Sequence, residues 1–481
     1  MMALLGKPRV LSLSTTFDAS SRVAAVRPGR GRLLQVLGVW FGISAAIGNT
    51  IAAGIVRSPG DIAAWLPNTF LFLGVWVVGG LYALAGAPSM AELAAAIPLS
   101  GGQYNFARRG LGEYAGFLVG WGDWLSTCGT AAAVAIVVAE YASVFLGRLN
   151  GSSVLGGYAV PHQRIAAVSI LLALFILQWR GVKWGSNTQL ITAALKTAAF
   201  VVVVAACFLL GGAAHAPASA AAALPLKSGL PLVASFLLAL QAVLYAVDGW
   251  DGVIYFGEEV RNPGRDIPRA IFGSVFSIMG IYLLLNLAVL YVLPIHQIAG
   301  DNFPLATAAS RIFGRYGDAF IRAIMIVSLL SCLNANQLFC SRTLYKMSYD
   351  GLFFRAASRV NRGGTPVPAL LLSTLVGIVF VLGTFERVIA MLSFFFVANY
   401  ALSYASLFRL RQREPNMPRP YRAWGYPWTT GIALGASVLF LIASLLEDRH
   451  NAPIALLILL LSYPVFRILK LVSRTPETAA I

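Results

Sequence analysis

At positions 245–252 the chain reads YAVDGWDG, in the middle of an apolar segment that runs from Leu232 to Ile271. Asp248 and Asp251 would lie at bilayer depth, where lipid offers no partner to a charge or to a freed backbone group. Such groups persist where they line a cavity that is enclosed by protein or filled with water. A helix broken near the midplane is also how many secondary transporters form a substrate site. The stretch therefore indicates membrane transport.

The composition of the whole chain supports a membrane protein. Of its 481 residues 58% are hydrophobic and 11% are charged, and the mean hydropathy is +0.75. In a typical soluble domain about a quarter of the residues are charged. Apolar windows of about 20 residues can be placed about twelve times, which predicts an all-α polytopic membrane protein. The predicted spans are 34–57, 68–97, 112–146, 164–179, 188–211, 231–257, 268–293, 318–342, 367–383, 388–409, 430–446 and 452–470.

A second interruption, GNTIAAGI at positions 48–55, lies in the first span. Glycine and other small residues also serve close helix packing, so this stretch alone leaves both interpretations open. Breaks in the first and sixth spans are five helices apart, as in an inverted repeat of five plus five helices. The predicted organisation is a cytoplasmic tail (1–32), a permease domain (33–475) with repeats at about 33–212 and 230–410 and two extra helices at about 429–470, and a second cytoplasmic tail (471–481).

The net charge of +17 follows the predicted topology. The predicted cytoplasmic segments hold 26 of the lysines and arginines and the outer segments hold 8, with Arg57 and Lys196 inside spans. The positive-inside rule then places both termini in the cytoplasm of a multi-pass protein of the plasma or inner membrane. We therefore expect a lipid bilayer and no nucleic acid among its partners, and residues 1–32 read as a disordered tail, with a transit peptide as the alternative.

Several classes of protein are disfavoured by what the sequence lacks. The four cysteines lie in apolar spans without a C-x-x-C pair and the four histidines are scattered, so neither a disulfide framework nor a metal or cofactor site is predicted. There is no G-x-x-x-x-G-K-[ST] motif of an ATPase, and no nucleophile–base pair indicates an enzyme. A channel remains an alternative, although two broken helices suit a closable site better than a continuous pore.

Four blocks of sequence resemble amino acid permeases of the amino acid–polyamine–organocation superfamily. Residues 51–59 are similar to its G-S-G-I-F-x-x-P signature, and residues 91–104 to its A-E-L…P-x-S-G-G-x-Y turn. Residues 245–271 resemble the sixth span of the L-type amino acid transporter branch, and 333–342 with 365–368 resemble its eighth span and the following loop. The blocks keep the order of the family over most of the chain.

The resemblance implies a site for the two charged groups of an α-amino acid. The amides of Ala53, Gly54 and Ile55 would bind the carboxylate, because the first N–H groups of a half-helix have no helical acceptor. The alternative is that Ala53 and Gly54 only allow close packing. Ala52 and Ala53 replace the first glycine and the serine of the family signature, a departure that bears on the substrate class rather than on the fold.

The ammonium would meet carbonyl groups near Thr50, Tyr245 and Asp248, and Gly249 would line the same break. Tyr245 matches the aromatic gate of these permeases, where a flat ring covers the substrate and its hydroxyl finds a polar partner. A core or interfacial tyrosine is the alternative.

Lys196 and Asp251 are the predicted coupling residues. In similar permeases a lysine of the fifth span stands where sodium-coupled relatives bind a cation and links the first-span break to the eighth span, which predicts sodium independence. The alternative for Lys196 is a buried pair with a carboxylate. Asp251 could carry a proton, bind a cationic substrate or hydrogen-bond the broken backbone, and Asp248 would share its helix face unless the helix is unwound there.

Two further groups of charged residues keep two interpretations each. Asp123, Glu140 and Glu92 lie inside predicted spans and would be buried partners between helices or vestibule lining. The run 258–269 is either a solvated cytoplasmic loop or an intracellular gate whose opposite charges pair and separate. The leading prediction is a sodium-independent secondary transporter of amino acids, working by alternating access with proton coupling or exchange. The alternative is a transporter of a polyamine or another organic cation.

Overall fold

The computed structural model describes residues 33–147, 151–155, 158–214, 228–382, 385–447 and 451–474, and within them the chain is almost wholly helical. The one described hairpin pairs β1 (Ser152–Leu155) with β2 (Tyr158–Pro161) in antiparallel register. The helices are α1 (Val39–Thr50), α2 (Ala53–Trp65), α3 (Thr69–Ala96), α4 (Gln103–Leu111), α5 (Glu113–Phe145), α6 (His162–Trp179), α7 (Val182–Ala214), α8 (Leu230–Val247), α9 (Pro263–Val292), α10 (Ile295–Ile298), α11 (Pro304–Phe313), α12 (Gly317–Tyr349), α13 (Val367–Val381), α14 (Phe385–Arg413), α15 (Trp428–Glu447) and α16 (Asn451–Arg474).

The prediction of an all-α polytopic membrane protein is confirmed. Among the described residues, seven helices are long and apolar enough to cross a membrane, and the bent pair α1 and α2 makes an eighth. The layout of twelve spans, the inverted repeat and the domain bounds stay predictions. The predicted tail at 1–32 lies outside the described residues, and of the predicted tail at 471–481 only residues 471–474 are described, as the end of α16.

The first span is broken between Thr50 and Ala53, and its two halves differ in direction by 47°. The halves can approach α8 closely because Gly54 has no side chain: a Cβ there would lie 2.8 Å from the Cα of Ala246. The prediction that this span ends at position 57 was wrong, since α2 continues to Trp65. The charge of Arg57 is accommodated inside the span because its guanidinium lies 3.4 Å from Glu140 on α5.

The sixth span is broken at its predicted position. Helix α8 ends at Val247 and the chain resumes helical geometry only as a 3₁₀ turn at Gly252–Tyr255. Gly249 has a φ of +96°, a left-handed conformation that glycine adopts without strain. Asp248 and Asp251 therefore do not share a helix face, and the expectation that held for a continuous helix fails here.

The two broken spans are also joined at their other ends. The amide of Leu37, before α1, donates to the carbonyl of Glu259 at 2.9 Å, and the amide of Arg261 donates back to Leu37 at 3.0 Å. Helix α4, a short segment that follows the predicted turn after α3, packs against α5 and α14. Together with α5, α12 and α14 these elements enclose the space between the two breaks.

Candidate functional site

A cavity of about 60 Å³ lies between the two helix breaks. This is several times the space that a single water requires. Its remaining walls come from α4, α5, α12 and α14. Six of the residues predicted for the substrate site line it: Thr50, Gly54, Tyr245, Asp248, Gly249 and Asp251.

The other predicted residues take different places. The side chain of Ile55 lines a separate small cavity with Pro59 and Leu285, so only its backbone amide belongs to the start of α2. The side chain of Ala53 lies outside what the structure describes. Lys196 is fully buried behind the wall of the cavity, at the carbonyl groups of the first break.

The start of α2 presents backbone amides toward the first break. Ala53, Gly54 and Ile55 are the first three residues of this helix, and no side chain caps it at Ala52. Their N–H groups have no acceptor within the helix, and the positive end of the helix dipole lies at the same place. The arrangement can bind a carboxylate without any cationic side chain.

The carbonyl groups that end α1 are held by side chains of other helices. Lys196 Nζ donates to the carbonyl oxygen of Ile51 at 2.6 Å and to that of Gly48 at 3.0 Å. The hydroxyl of Ser328 on α12 donates to the same Ile51 oxygen at 2.7 Å. Within the described residues Lys196 makes no ion pair with a carboxylate, which was the structural alternative. The ammonium instead closes the end of a helix.

A tyrosine hydroxyl lies between the two breaks. The Oη of Tyr282 on α9 is 2.8 Å from the carbonyl oxygen of Thr50 and 2.8 Å from that of Ala246. Thr50 ends α1 and Ala246 is the second-last residue of α8, so neither carbonyl has an amide donor in its own helix. The two half-helices are thus joined through one side chain that the sequence analysis missed.

Carboxylates from two different elements line the cavity. Asp251 accepts from Gln103 Nε2 and from Tyr400 Oη, both at 3.1 Å. Asp123 accepts from Tyr255 Oη at 2.6 Å, and from a threonine hydroxyl of α12 at 2.9 Å. Asp248 is half-buried. The cavity therefore has an acidic wall of three carboxyl groups, and those of Asp251 and Asp123 connect the sixth-span break to α4, α5, α12 and α14.

Several of these residues could have been found from the sequence. Gln103 lies inside the block similar to the family's S-G-G-x-Y turn, and Tyr400 follows a buried asparagine in the apolar span at 388–409. A polar side chain in such a span is a functional signal by itself. Asp123 was noted, but only as a partner between helices or a vestibule residue.

The acidic pair that follows the sixth-span break is bound by α12. Glu259 and Arg342 are both fully buried and form a two-pronged pair, with N–O distances of 3.0 and 3.2 Å. Glu258 pairs with Lys346 at 3.3 Å. Burial raises the pKa of Glu259, and the Arg342 guanidinium beside it acts in the opposite direction. Residues 258 and 259, at the start of the run 258–269, thus pack against α12 and are not part of a solvated loop.

Comparison with known proteins gives one family. The family model described as amino acid permease matches residues 33–462. The serine/threonine exchanger SteT of Bacillus subtilis is 27% identical over 90% of this chain and 96% of its own length. The Asc-type amino acid transporter 1 of Mus musculus is 26% identical over 93% and 82%. The cystine/glutamate transporter of Homo sapiens is 27% identical over 91% and 85%.

Proposed function

The chain belongs to the amino acid permease family, and we propose that it carries amino acids across the membrane as a sodium-independent secondary transporter with alternating access. Membrane transport of amino acids is what this family and its named relatives do, and none of those relatives is an enzyme. The proposal adds the independence from sodium and the coupling, by exchange or by a proton.

The observation that carries the proposal is the position of Lys196. Its ammonium occupies the carbonyl end of the broken first helix, donating to Gly48 and Ile51. Carbonyl groups at such helix ends are the ligands that bind the coupling sodium ion in many transporters. The Lys196 amine fills this place and donates to these carbonyl groups, so a sodium ion would find neither space nor free ligands there. The transporter then works without sodium.

The substrate would lie across the two breaks. Its carboxylate would accept from the amides of Ala53, Gly54 and Ile55 at the start of α2. Its ammonium would donate to the carbonyl groups that end α1 and α8, near Thr50 and Tyr245. Tyr245 lines the cavity beside them, in the place of a gate.

Two routes of coupling fit the cavity. Asp251, held by Gln103 and Tyr400, could take up and release a proton when the hydrogen bonds around it rearrange. Obligatory exchange needs no coupling ion, and SteT is named an exchanger. Exchange requires an amino acid on both sides of the membrane, which makes the two routes distinguishable.

The acidic wall of the cavity favours a second candidate, a transporter of polyamines or other organic cations. Asp123, Asp248 and Asp251 all line the cavity, while Lys196 lies behind its wall. A divalent amine would be attracted to this wall. The backbone amides at the start of α2 favour an amino acid, because an amine that has no carboxylate would leave these N–H groups without an acceptor.

The test is uptake into proteoliposomes made with the purified protein. Thermal-shift screening against the twenty amino acids and common polyamines selects the radiolabelled substrate. We expect uptake in potassium buffers without sodium, stimulated either by unlabelled amino acid inside the vesicles or by an inward proton gradient. Strict dependence on sodium would refute the argument from Lys196, and stabilisation by polyamines alone would favour the second candidate.

We also propose that the protein lies in the plasma or inner membrane with both termini in the cytoplasm. The distribution of lysines and arginines, 26 in predicted cytoplasmic segments and 8 in outer ones, supports this orientation. Protease protection of terminal tags in intact cells or right-side-out vesicles tests it, and cleavage of both tags from outside would contradict it.

A further inference from the structure

The substrate cavity has a narrow side extension. A cavity of about 20 Å³ adjoins it, and we call this space the neck. Its volume is close to that of one water and far below that of an amino acid. Four residues line both the substrate cavity and the neck: Tyr245, Asp248, Phe396 and Tyr400.

Beyond the neck lies a larger space between α3, α8 and α15, which we call the lateral crevice. It holds about 250 Å³. Three residues line both the neck and the crevice: Tyr82, Leu244 and Phe440. The three spaces therefore follow one another from the substrate site to the outer surface of the helices.

The mouth of the lateral crevice faces the hydrocarbon of the bilayer. Val78 on α3, Leu237 on α8 and Leu439 on α15 line it and are 39%, 39% and 60% exposed. Helices α3 and α15 are both long and apolar enough to span the membrane. At this depth the exposed side chains meet acyl chains rather than water.

The walls of the crevice exclude polar occupants. Gln241 and Ser444 are the polar exceptions among aliphatic and aromatic side chains, and the hydroxyl of Tyr82 is already bonded to Ser437 at 2.8 Å. A water needs two to four polar partners, which such walls do not offer. An empty apolar space of this size would forfeit dispersion contacts on every side. An acyl chain of the surrounding bilayer would restore these contacts.

We propose that the lateral crevice binds one acyl chain of a bilayer phospholipid, with the end of the chain against Tyr82, Leu244 and Phe440. These three side chains separate the chain from the neck, and Tyr245 lies on the other side of the neck. The lipid thus supports the outer wall of the substrate site. Binding of the chain does not depend on the proposed function; only its effect on transport rests on that function.

The test is photolabelling in vesicles of dioleoyl phosphatidylcholine that contain a phosphatidylcholine with a diazirine near the end of one acyl chain. Mass spectrometry of the digested protein then locates the label. We expect labelled peptides from α8 and α15 around the crevice, well above those from the lipid-facing surface of α6. Even labelling of all lipid-facing helices would overturn the proposal, as would crosslinks between two protein chains at the crevice.

Variants that fill the crevice sharpen the test. Ala234→Phe with Ala436→Phe places two rings in it, and labelling there should fall about tenfold because the rings replace the contacts of the chain. Leu172→Phe on α6, at a side chain that is 40% exposed, is the matched control and should leave the labelling unchanged. If the double variant does not fold, the single variant Ala436→Leu is used instead and should also lower the labelling at the crevice. Unchanged labelling in this variant would overturn the proposal.

Transport gives an independent measurement. Uptake by the wild-type protein should change between vesicles of short-chain and long-chain phosphatidylcholine, and the filled variant should lose that dependence. A filled variant that keeps the wild-type dependence on chain length would contradict a role of the bound chain at the substrate site. Absence of amino acid uptake by the wild-type protein, with crevice labelling that still falls in the filled variant, would count against the proposed function only.

Discussion

Replacing Lys196 with alanine removes the ammonium group that closes the first-span break. The carbonyl of Ile51 keeps the hydroxyl of Ser328 as a donor, at 2.7 Å. The carbonyl of Gly48 lies in the last turn of α1, where no helical amide reaches it, and its bond to Lys196 is lost. One buried carbonyl left without a donor costs about 1–3 kcal/mol. This corresponds to a loss of about 5- to 140-fold in substrate affinity if the break must keep its shape for binding.

The assay is binding and uptake of the radiolabelled substrate with and without sodium. Lys196→Ala leaves the three carbonyl oxygens that its Nζ contacts, those of Ile47, Gly48 and Ile51, around the vacated position. Sodium should therefore restore part of the lost affinity in this variant and have no effect on the wild type. Lys183→Ala, at an exposed lysine on the same helix, is the control. Wild-type affinity of Lys196→Ala in the absence of sodium would refute the reasoning.

Three further predictions concern other parts of the site. Asp251→Asn should alter the pH profile of uptake if that residue carries a proton, and an unchanged profile would remove it from the coupling. Glu259→Gln leaves Arg342 buried without a counter-charge and should lower the free energy of unfolding by about 3–5 kcal/mol. Replacing both residues with apolar ones should recover most of this lost stability, as measured in a thermal melt. Gly54→Ala brings a Cβ to 2.8 Å from the Cα of Ala246 on α8 and should lower the free energy of unfolding by about 1–3 kcal/mol. Gly280→Ala is the control and should leave the free energy of unfolding unchanged, because nothing lies within 4 Å of the added Cβ.

The breaks in the first and sixth spans could be predicted because they leave a local trace in the sequence. Glycine, asparagine and aspartate inside an apolar run, as at 48–55 and 245–252, conflict with a continuous helix in lipid. Thr50, Gly54 and Asp251 line the cavity for this reason. The end of the first span was misplaced because a charged residue normally ends an apolar window, and the sequence does not show that Arg57 meets Glu140, 83 residues further on.

The partners of the buried carboxylates were not predictable in the same way. Gln103 and Tyr400 meet Asp251 from positions 148 and 149 residues away in the chain. Which side of α4 or α14 turns toward the break depends on how these helices pack against elements far away in the chain. The same holds for Glu259, whose partner lies 83 residues further on. A single sequence shows which groups need a partner but not which partner they find.

The hydroxyl group of Tyr282 carries one hydrogen for two acceptors. It lies 2.8 Å from both Thr50 and Ala246, so at any moment one of these carbonyls receives the hydrogen and the other does not. A rotation about a single C–O bond exchanges the two. An ammonium group that binds one carbonyl would send the tyrosine hydrogen to the other, so that occupation of the site is transmitted from one half-helix to its counterpart by a rotor. Tyr282→Phe would leave both carbonyls equivalent and remove this link between the halves.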